Sequence, residues 1–411
     1  MSVRDPAQAA KQEKHSRACR IPPESGSRRL QAFKVDSRST GSVHTFAART
    51  AYNGAMLLDG VFAAVTTPFY PDERLYLRKL EHNIARYSRT LLAGMVVLGS
   101  TGEAVSLTDE ESRSVLRMAA ETAAPEKVLI AGVGRESVAA TMELVEHAAA
   151  LDYDAVLVRN PAYYRPQLSP AAQLQFFRMI ADRSPLPVLL YSIPRFTEFE
   201  IPLEVVAELS SHPNIWGIKE SSGSVDRIRD LVQATRLAPR RTVTVTTIFE
   251  AVTARMLRPV PASGGDGLIP AESLAGGVAA PSVVAPAVVA PALKTRTREV
   301  GFQVLTGSVG NLKESLDAGA SGAVLAFAAC APQACQEIYS AWKEHDEALA
   351  LAKQLRIADA AAFVGNRLGV AGVKYACDWN GYFGGRARSP LLALDAATRM
   401  EIETRMATIR S

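Results

Sequence analysis

Eight short apolar runs, alternating with helical stretches at a spacing of roughly thirty residues, constrain this chain more than any other feature. The runs begin near Val61, Met95, Val128, Asp154, Pro187 and Ile215, and continue at Phe302–Thr306 and Gly322–Ala326. Between them lie helical stretches such as Arg113–Thr122 and Thr141–Ala150. Thr108 and Glu111 have the spacing of a capping box and mark one helix start. Strand–helix alternation of this kind builds a parallel sheet. Eight units predict an α/β fold, a closed (β/α)₈ TIM barrel. A doubly wound open sheet is the alternative, but no Gly-x-Gly-x-x-Gly follows the first strand. Three further helical patterns, roughly 346–363, 370–378 and 395–406, predict additional C-terminal helices beside the barrel.

Two segments break the rhythm. Residues 1–57 are rich in Arg, Ser and Ala without periodicity and predict a disordered extension or a targeting segment. The barrel domain then spans 58–411, interrupted at 237–300 by an insert rich in Ala, Pro and Val. In that insert Ile248–Leu257 could form an amphipathic turn or two, and Pro281, Pro286 and Pro291 punctuate a linker-like tract. The insert falls between the sixth helix and the seventh strand, so it is expected at the bottom of the barrel, away from the chemistry.

The overall charge of +4 is unevenly placed. The segment 1–57 carries a net +6 and 237–300 a net +3, leaving a net −5 on the rest. A mildly acidic body argues against a nucleic-acid partner. No apolar run is long enough for a membrane span, so no membrane partner is expected. Cys19, Cys330, Cys335 and Cys377 have no metal-ligand spacing and are too few to staple the chain. The expected location is the cytoplasm, or the mitochondrion if 1–57 is a transit peptide.

Three predicted strand ends carry chemistry. The sixth ends Ile215-Trp216-Gly217-Ile218-Lys219. Taken alone, Lys219 reads as an edge lysine snorkelling to solvent. At a barrel mouth, desolvation would free an amine lone pair for attack on a carbonyl. The fifth ends Leu190-Tyr191-Ser192-Ile193-Pro194, and alternation turns Tyr191 inward with Leu189. The same alternation puts Ile215, Gly217 and Lys219 on one face, with Gly217 leaving room beneath the lysine stem. Tyr191 and Lys219 should therefore meet as a proton-relay phenol beside a Schiff-base amine. The second strand ends Gly99-Ser100-Thr101-Gly102-Glu103, a turn suited to holding a carboxylate. A metal-dependent route would need ligands at strand ends. The histidines fall elsewhere: His15 and His44 in the tail, His82, His147 and His345 on predicted helices, and His212 after a helix.

These motifs resemble the dihydrodipicolinate synthase / N-acetylneuraminate lyase family of pyruvate-dependent class I aldolases over about 59–236 and 301–411. The resemblance rests on Gly-Ser-Thr-Gly-Glu at 99–103, Tyr-Ser-Ile-Pro at 191–194 and Gly-Ile-Lys-Glu-Ser at 217–221. Asn160–Pro166, with its Tyr163-Tyr164 pair, resembles the family's tyrosine segment after the fourth strand. By resemblance, Lys219 is the Schiff-base lysine and Tyr191 the proton relay. Ser100 and Thr101 hold the pyruvate carboxylate, and Ser100 joins the relay. Tyr164 enters a neighbouring subunit's site, which implies a homo-oligomer, a dimer or tetramer. Ser221 and Gly307 stand where some members contact substrate. No metal or organic cofactor is implied.

Members that make dihydrodipicolinate carry an arginine two residues after the Tyr-x-x-Pro proline, where this chain has Phe196, and Glu198 stands where glycine is usual. His-Pro-Asn-Ile at 212–215, Phe302–Ser308 and Asp378–Gly385 resemble the 4-hydroxy-2-oxoglutarate aldolase branch. The expected function is a carbon–carbon lyase acting on 4-hydroxy-2-oxoglutarate or a related hydroxy-2-oxo acid. Dihydrodipicolinate synthase and N-acetylneuraminate or 2-keto-3-deoxy sugar acid lyase are alternatives, and a non-catalytic 2-oxo-acid-binding module is a reading from another class.

Overall fold

The computed structural model describes residues 56–258 and 293–409. Its strands, in chain order, are β1 (Gly60–Ala64), β2 (Gly94–Val97), β3 (Val128–Gly132), β4 (Ala155–Arg159), β5 (Val188–Ser192), β6 (Ile215–Glu220), β7 (Arg241–Thr246), β8 (Thr295–Val300), β9 (Gln303–Thr306) and β10 (Gly322–Leu325). All but β7 and β8 close into one parallel barrel in sequence order, with β10 returning to β1. The barrel strands read as unbroken apolar runs because helices cover one face and the barrel interior the other.

The outer layer is α1 (Leu77–Ser88), α2 (Asp109–Thr122), α3 (Val138–Ala150), α4 (Pro170–Ala181), the single turn α5 (Pro194–Thr197), α6 (Leu203–Leu209), α7 (Val225–Ala234), α8 (Leu312–Asp317) and α9 (Pro332–Lys343). The capping box forms as its residues predict. Glu111 N–H donates to Thr108 Oγ1 at 3.2 Å, and Thr108 N–H donates to Glu111 Oε2 at 3.0 Å. Three helices follow the barrel, α10 (Glu347–Ala361), α11 (Gly369–Trp379) and α12 (Ala396–Met406), close to the expected spans. A π-helical turn at Ala362–Arg367 joins α10 to α11 and brings Gly365 and Asn366 toward the barrel mouth.

Four sequence expectations need correction. First, the body begins before residue 58. Met56 and Leu57 are buried, and the Gln303 side chain clamps them, donating to Met56 O at 3.0 Å and accepting from Leu58 N–H at 2.7 Å. The disordered extension or targeting segment expected over the rest of 1–57 lies outside the described residues. Second, the insert is not unpatterned throughout. Its flanks, β7 and β8, form a six-pair antiparallel ribbon. Val243, Val245 and Val300 from that ribbon join the cluster of Leu58, Phe62 and Trp216 inside the barrel. In β7 Val243 and Val245 are buried and in β8 only Val300, so the ribbon lacks the continuous apolar run that marks the barrel strands. Among the described residues between the ribbon strands, Val245 bridges Ala251 and a 3₁₀ turn forms at Arg255–Leu257, and the 281–291 tract lies outside the described residues.

Third, Ile215 does not share the face of Gly217 and Lys219. The register advances from Val188↔Ile215 to Leu189↔Gly217, so Trp216 is an extra, bulged residue. Ile215 consequently packs in the outer cluster with Ile218, and Trp216 turns inward against the ribbon. Fourth, His345 lies in the turn after α9 at φ 61°, not on a helix.

Candidate active site

The barrel places the ends of β4, β5 and β6 side by side. Tyr191 pairs in register with Lys219 across β5 and β6, and Arg159 on β4 pairs with Tyr191 from the other side. The alternation that starts at Leu189 and Gly217 therefore points Tyr191 and Lys219 into the same mouth. Lys219 is only 5% exposed. Its Nζ donates to Tyr191 Oη at 3.1 Å and lies 4.2 Å from the tyrosine ring centroid. The Tyr191 hydroxyl meets Ser100 Oγ at 3.4 Å. Amine, phenol and serine hydroxyl form one chain of exchangeable protons.

Gly217 does a different job from the one its position suggests. A Cβ there would lie 2.2 Å from Gln303 O of β9, so glycine is required by strand approach rather than by the lysine stem. Gly307 is similarly forced. Its N–H donates to Glu220 O at 2.7 Å, and a Cβ would lie 2.0 Å from Ser221 Oγ.

A cavity of about 480 Å³ opens above Lys219. Ser100, Thr101, Tyr191, Lys219, Ser221 and Gly307 all line it. Among the described residues the buried Ser221 hydroxyl has no hydrogen-bond partner, so it can pair with a ligand. Tyr164 is not brought into this cavity. It stands 66% exposed on the loop after β4, edge-on to Tyr163 with ring centroids 5.1 Å apart.

Several residues that position the site carry no role in the sequence reading. Glu103 closes the Ser100–Thr101 turn in a left-handed conformation, φ 56°. Its carboxylate accepts from Lys374 Nζ of α11 at 2.5 Å and from Arg388 N–H at 2.7 Å. Both side chains of the pair are essentially inaccessible to water. Burial pulls the Lys374 amine below its ordinary range, against the opposing pull of Glu103. A lysine among apolar residues in Val370–Trp379 is the signal that could have revealed this contact.

Glu136 holds the tyrosine loop. Its Oε2 accepts from the N–H groups of Ala162 at 2.9 Å and Tyr163 at 3.0 Å, and its Oε1 from Arg159 at 2.9 Å. Glu198 adopts φ 62°, which explains why glycine is usual there, and pairs with Arg165 next to Tyr164. Glu220, one residue past Lys219, points away from the cavity. Burial raises its carboxyl, opposed by the Ser222 N–H at 2.7 Å and by Arg227.

The model of the Dihydrodipicolinate synthetase family matches residues 57–274 and 290–409. The chain belongs to this family. Among the curated relatives of the dihydrodipicolinate synthetase family, a 4-hydroxy-tetrahydrodipicolinate synthase of Xanthomonas axonopodis pv. citri is 40% identical over 177 residues, covering 43% of this chain and 58% of that protein. The aligned part thus spans little more than half the length of such relatives. Among solved structures, a putative dihydrodipicolinate synthetase from Pseudomonas aeruginosa superposes with a TM-score of 0.67 at 21% identity, covering 86% of this chain and 100% of that one. A prophage protein of the dihydrodipicolinic acid synthase family from E. coli K12, in complex with pyruvate, gives a TM-score of 0.66 at 23% identity, covering 86% and 99%. These likenesses agree with the barrel fold.

Proposed function

We propose that this protein is a class I aldolase, a lyase that makes or breaks a carbon–carbon bond through a Schiff base between Lys219 and pyruvate or another 2-oxo acid. The observation that carries the reading is the buried Lys219 amine within 3.1 Å of the Tyr191 hydroxyl, itself 3.4 Å from Ser100 Oγ. In the cleavage direction the amine attacks the 2-oxo carbon, and the carbinolamine loses water to an iminium. The iminium draws electrons from the bond between the third and fourth carbons. That bond breaks, an aldehyde leaves, and an enamine remains. Tyr191 takes the proton of the 4-hydroxyl as the aldehyde forms, and Ser100 passes it on. Protonation of the enamine and hydrolysis return pyruvate and the free amine. Thr101 and the turn that carries it hold the carboxylate, with Ser221 and Gly307 beside the substrate.

4-Hydroxy-2-oxoglutarate is the first substrate to assay. A synthase reading is favoured by the name of the curated relatives, but Phe196 cannot supply the bidentate contact of an arginine. In assembly we assign Tyr164 to a neighbouring subunit's site within a dimer or tetramer, because it is exposed and lies outside its own cavity. Light scattering of the wild type and Tyr164→Ala, each with its kcat, checks that role. A monomer with full activity would sink it. The reaction is placed in the cytoplasm, or in the mitochondrion if residues 1–57 act as a transit peptide. Imaging a C-terminal fluorescent fusion with and without those residues separates the two.

The deciding experiment is borohydride trapping with pyruvate, read by intact mass and peptide mapping. A reduced pyruvyl adduct on Lys219 is expected. A folded protein without an adduct would remove the class I reading and leave the binding module.

A further inference from the structure

Glu220 stands one residue past Lys219, and the reaction proposed above gives it no part. Alternation past the bulge turns Lys219 and Ser221 into the barrel mouth and Glu220 outward, toward Arg227 of α7. There the Glu220 side chain is 1% exposed. Its Oε1 accepts from Ser222 N–H at 2.7 Å. Its Oε2 makes no hydrogen bond among the described residues and stands 3.7 Å from Arg227 Nε. Arg227 is shared with Glu200 at 3.5 Å and donates to Ile201 O. A carboxylate this buried is costly, and an apolar side chain of similar size would pack there without that cost. What the charge secures is the bond to Ser222 N–H.

Ser222 belongs to the loop 221–224 between β6 and α7, which lines the Lys219 cavity through Ser221, Ser222 and Gly223. Three neutral bonds also hold this loop. Ser221 N–H donates to Ser192 O at 3.0 Å, Ser224 N–H to Ser222 Oγ at 3.2 Å, and Asn311 Nδ2 to Gly223 O at 2.6 Å. A hydrogen bond to a carboxylate is roughly twice as strong as a neutral one, so the Glu220 contact outweighs each of these. It fixes the backbone directly after Ser221. The Ser221 hydroxyl has little slack, because it packs where a Cβ on Gly307 would lie 2.0 Å away. It is also buried without a partner among the described residues. A small shift of the loop would therefore move the Ser221 hydroxyl out of hydrogen-bond reach of a ligand.

We infer that Glu220 is a positioning residue: its carboxylate grips Ser222 N–H from outside the barrel and so sets the Ser221 hydroxyl to receive the 2-oxo acid bound at Lys219. The inference rests on the Schiff-base reading above and deepens it. Glu220 does not line the cavity, so it acts on ligand affinity through Ser221 and not on bond making. Removing the Ser221 hydroxyl and releasing the loop that aims it have the same consequence, the loss of one hydrogen bond to the ligand. That bond is lost only once.

The test is a double-mutant cycle on the full chain. It reads the concentration of 4-hydroxy-2-oxoglutarate that half-saturates borohydride trapping on Lys219, with the substrate and pyruvyl adducts counted together. Ser221→Ala and Glu220→Leu are each expected to raise it about tenfold, the worth of one hydrogen bond. The double variant should rise no further, because both changes remove the same contact. Glu220→Gln keeps an oxygen for Ser222 N–H and should recover most of the affinity. The fraction trapped at saturation should stay at the wild-type level throughout, which a distorted barrel would not show. Arg227 keeps Glu200 and Ile201 O when Glu220 is changed. If Glu220→Leu still fails to fold, Glu220→Asp, one methylene short of Ser222 N–H, takes its place in the cycle and should weaken trapping in the same direction. Unchanged half-saturation in Ser221→Ala or in the folded Glu220 variant overturns the inference. So does a double variant in which the two effects multiply to about a hundredfold. A wild type that forms no adduct on Lys219 with pyruvate or with 4-hydroxy-2-oxoglutarate would instead strike the Schiff-base reading itself.

Discussion

Lys219 and Tyr191 are few atoms in a large chain, yet their geometry makes separable demands. In the proposed reaction the phenol serves proton transfer, whereas the amine forms the covalent bond. Tyr191→Phe should therefore still accept pyruvate on borohydride trapping while kcat falls by about 10²- to 10⁴-fold, the usual worth of a positioned acid–base group. Loss of the adduct together with kcat would show that Tyr191 instead orients the lysine. Lys374 offers a second residue-scale test. Lys374→Met strands the Glu103 carboxylate in a site without water, at a cost of about 3–5 kcal/mol by denaturant unfolding. The double change Lys374→Met with Glu103→Leu should recover much of that stability, because an apolar pair has no charge to desolvate. It should not recover the pyruvate KM, because the Ser100–Thr101 turn loses its anchor. Equal recovery of both would show that the pair is structural only.

At the scale of elements, the ribbon and the turn beyond it are integral to the barrel floor. Arg255 from that turn reaches Asp154 at the start of β4, 3.3 Å away, and also donates to Lys127 O. Burial pushes the Asp154 carboxyl up to about 6, with Arg255 pulling the other way. The unfolded value is 3.8, so between the two the folded state keeps a proton that the unfolded state releases. This group's favourable term is full below about pH 4 and is lost as pH rises through about 6, a change of about 3 kcal/mol. Asp154→Asn lacks that titration. Unfolding free energies at pH 4 and pH 7.5 should show the wild type losing about 3 kcal/mol relative to the variant. A constant difference between the two would refute the assignment.

For the whole molecule, closure of the barrel brings Gln303, near the start of β9, against the residues before β1. A chain shortened to begin at Asp59 loses the buried Met56, Leu57 and Leu58 side chains and strands both polar groups of Gln303. It should be less stable than one beginning at Met56 by about 5 kcal/mol or more, given about 1.5–3 kcal/mol per buried apolar side chain. Matched thermal melts decide this, and coincident melts would mean that the clamp contributes nothing.

The sequence by itself determined the barrel, the order of its strands and the inward face at Tyr191 and Lys219. Those follow from periodicity, a local property that each run carries within itself. The capping box at Thr108 is local in the same sense. Only the tertiary structure decided the bulge at Trp216, the ribbon under the barrel, the Glu103–Lys374 pair and the service of Glu136 to the tyrosine loop. Each joins groups far apart in the chain or depends on a register that alternation cannot reveal. Glu103 and Lys374 are separated by 271 residues and meet only once the barrel has closed and α11 has docked on it.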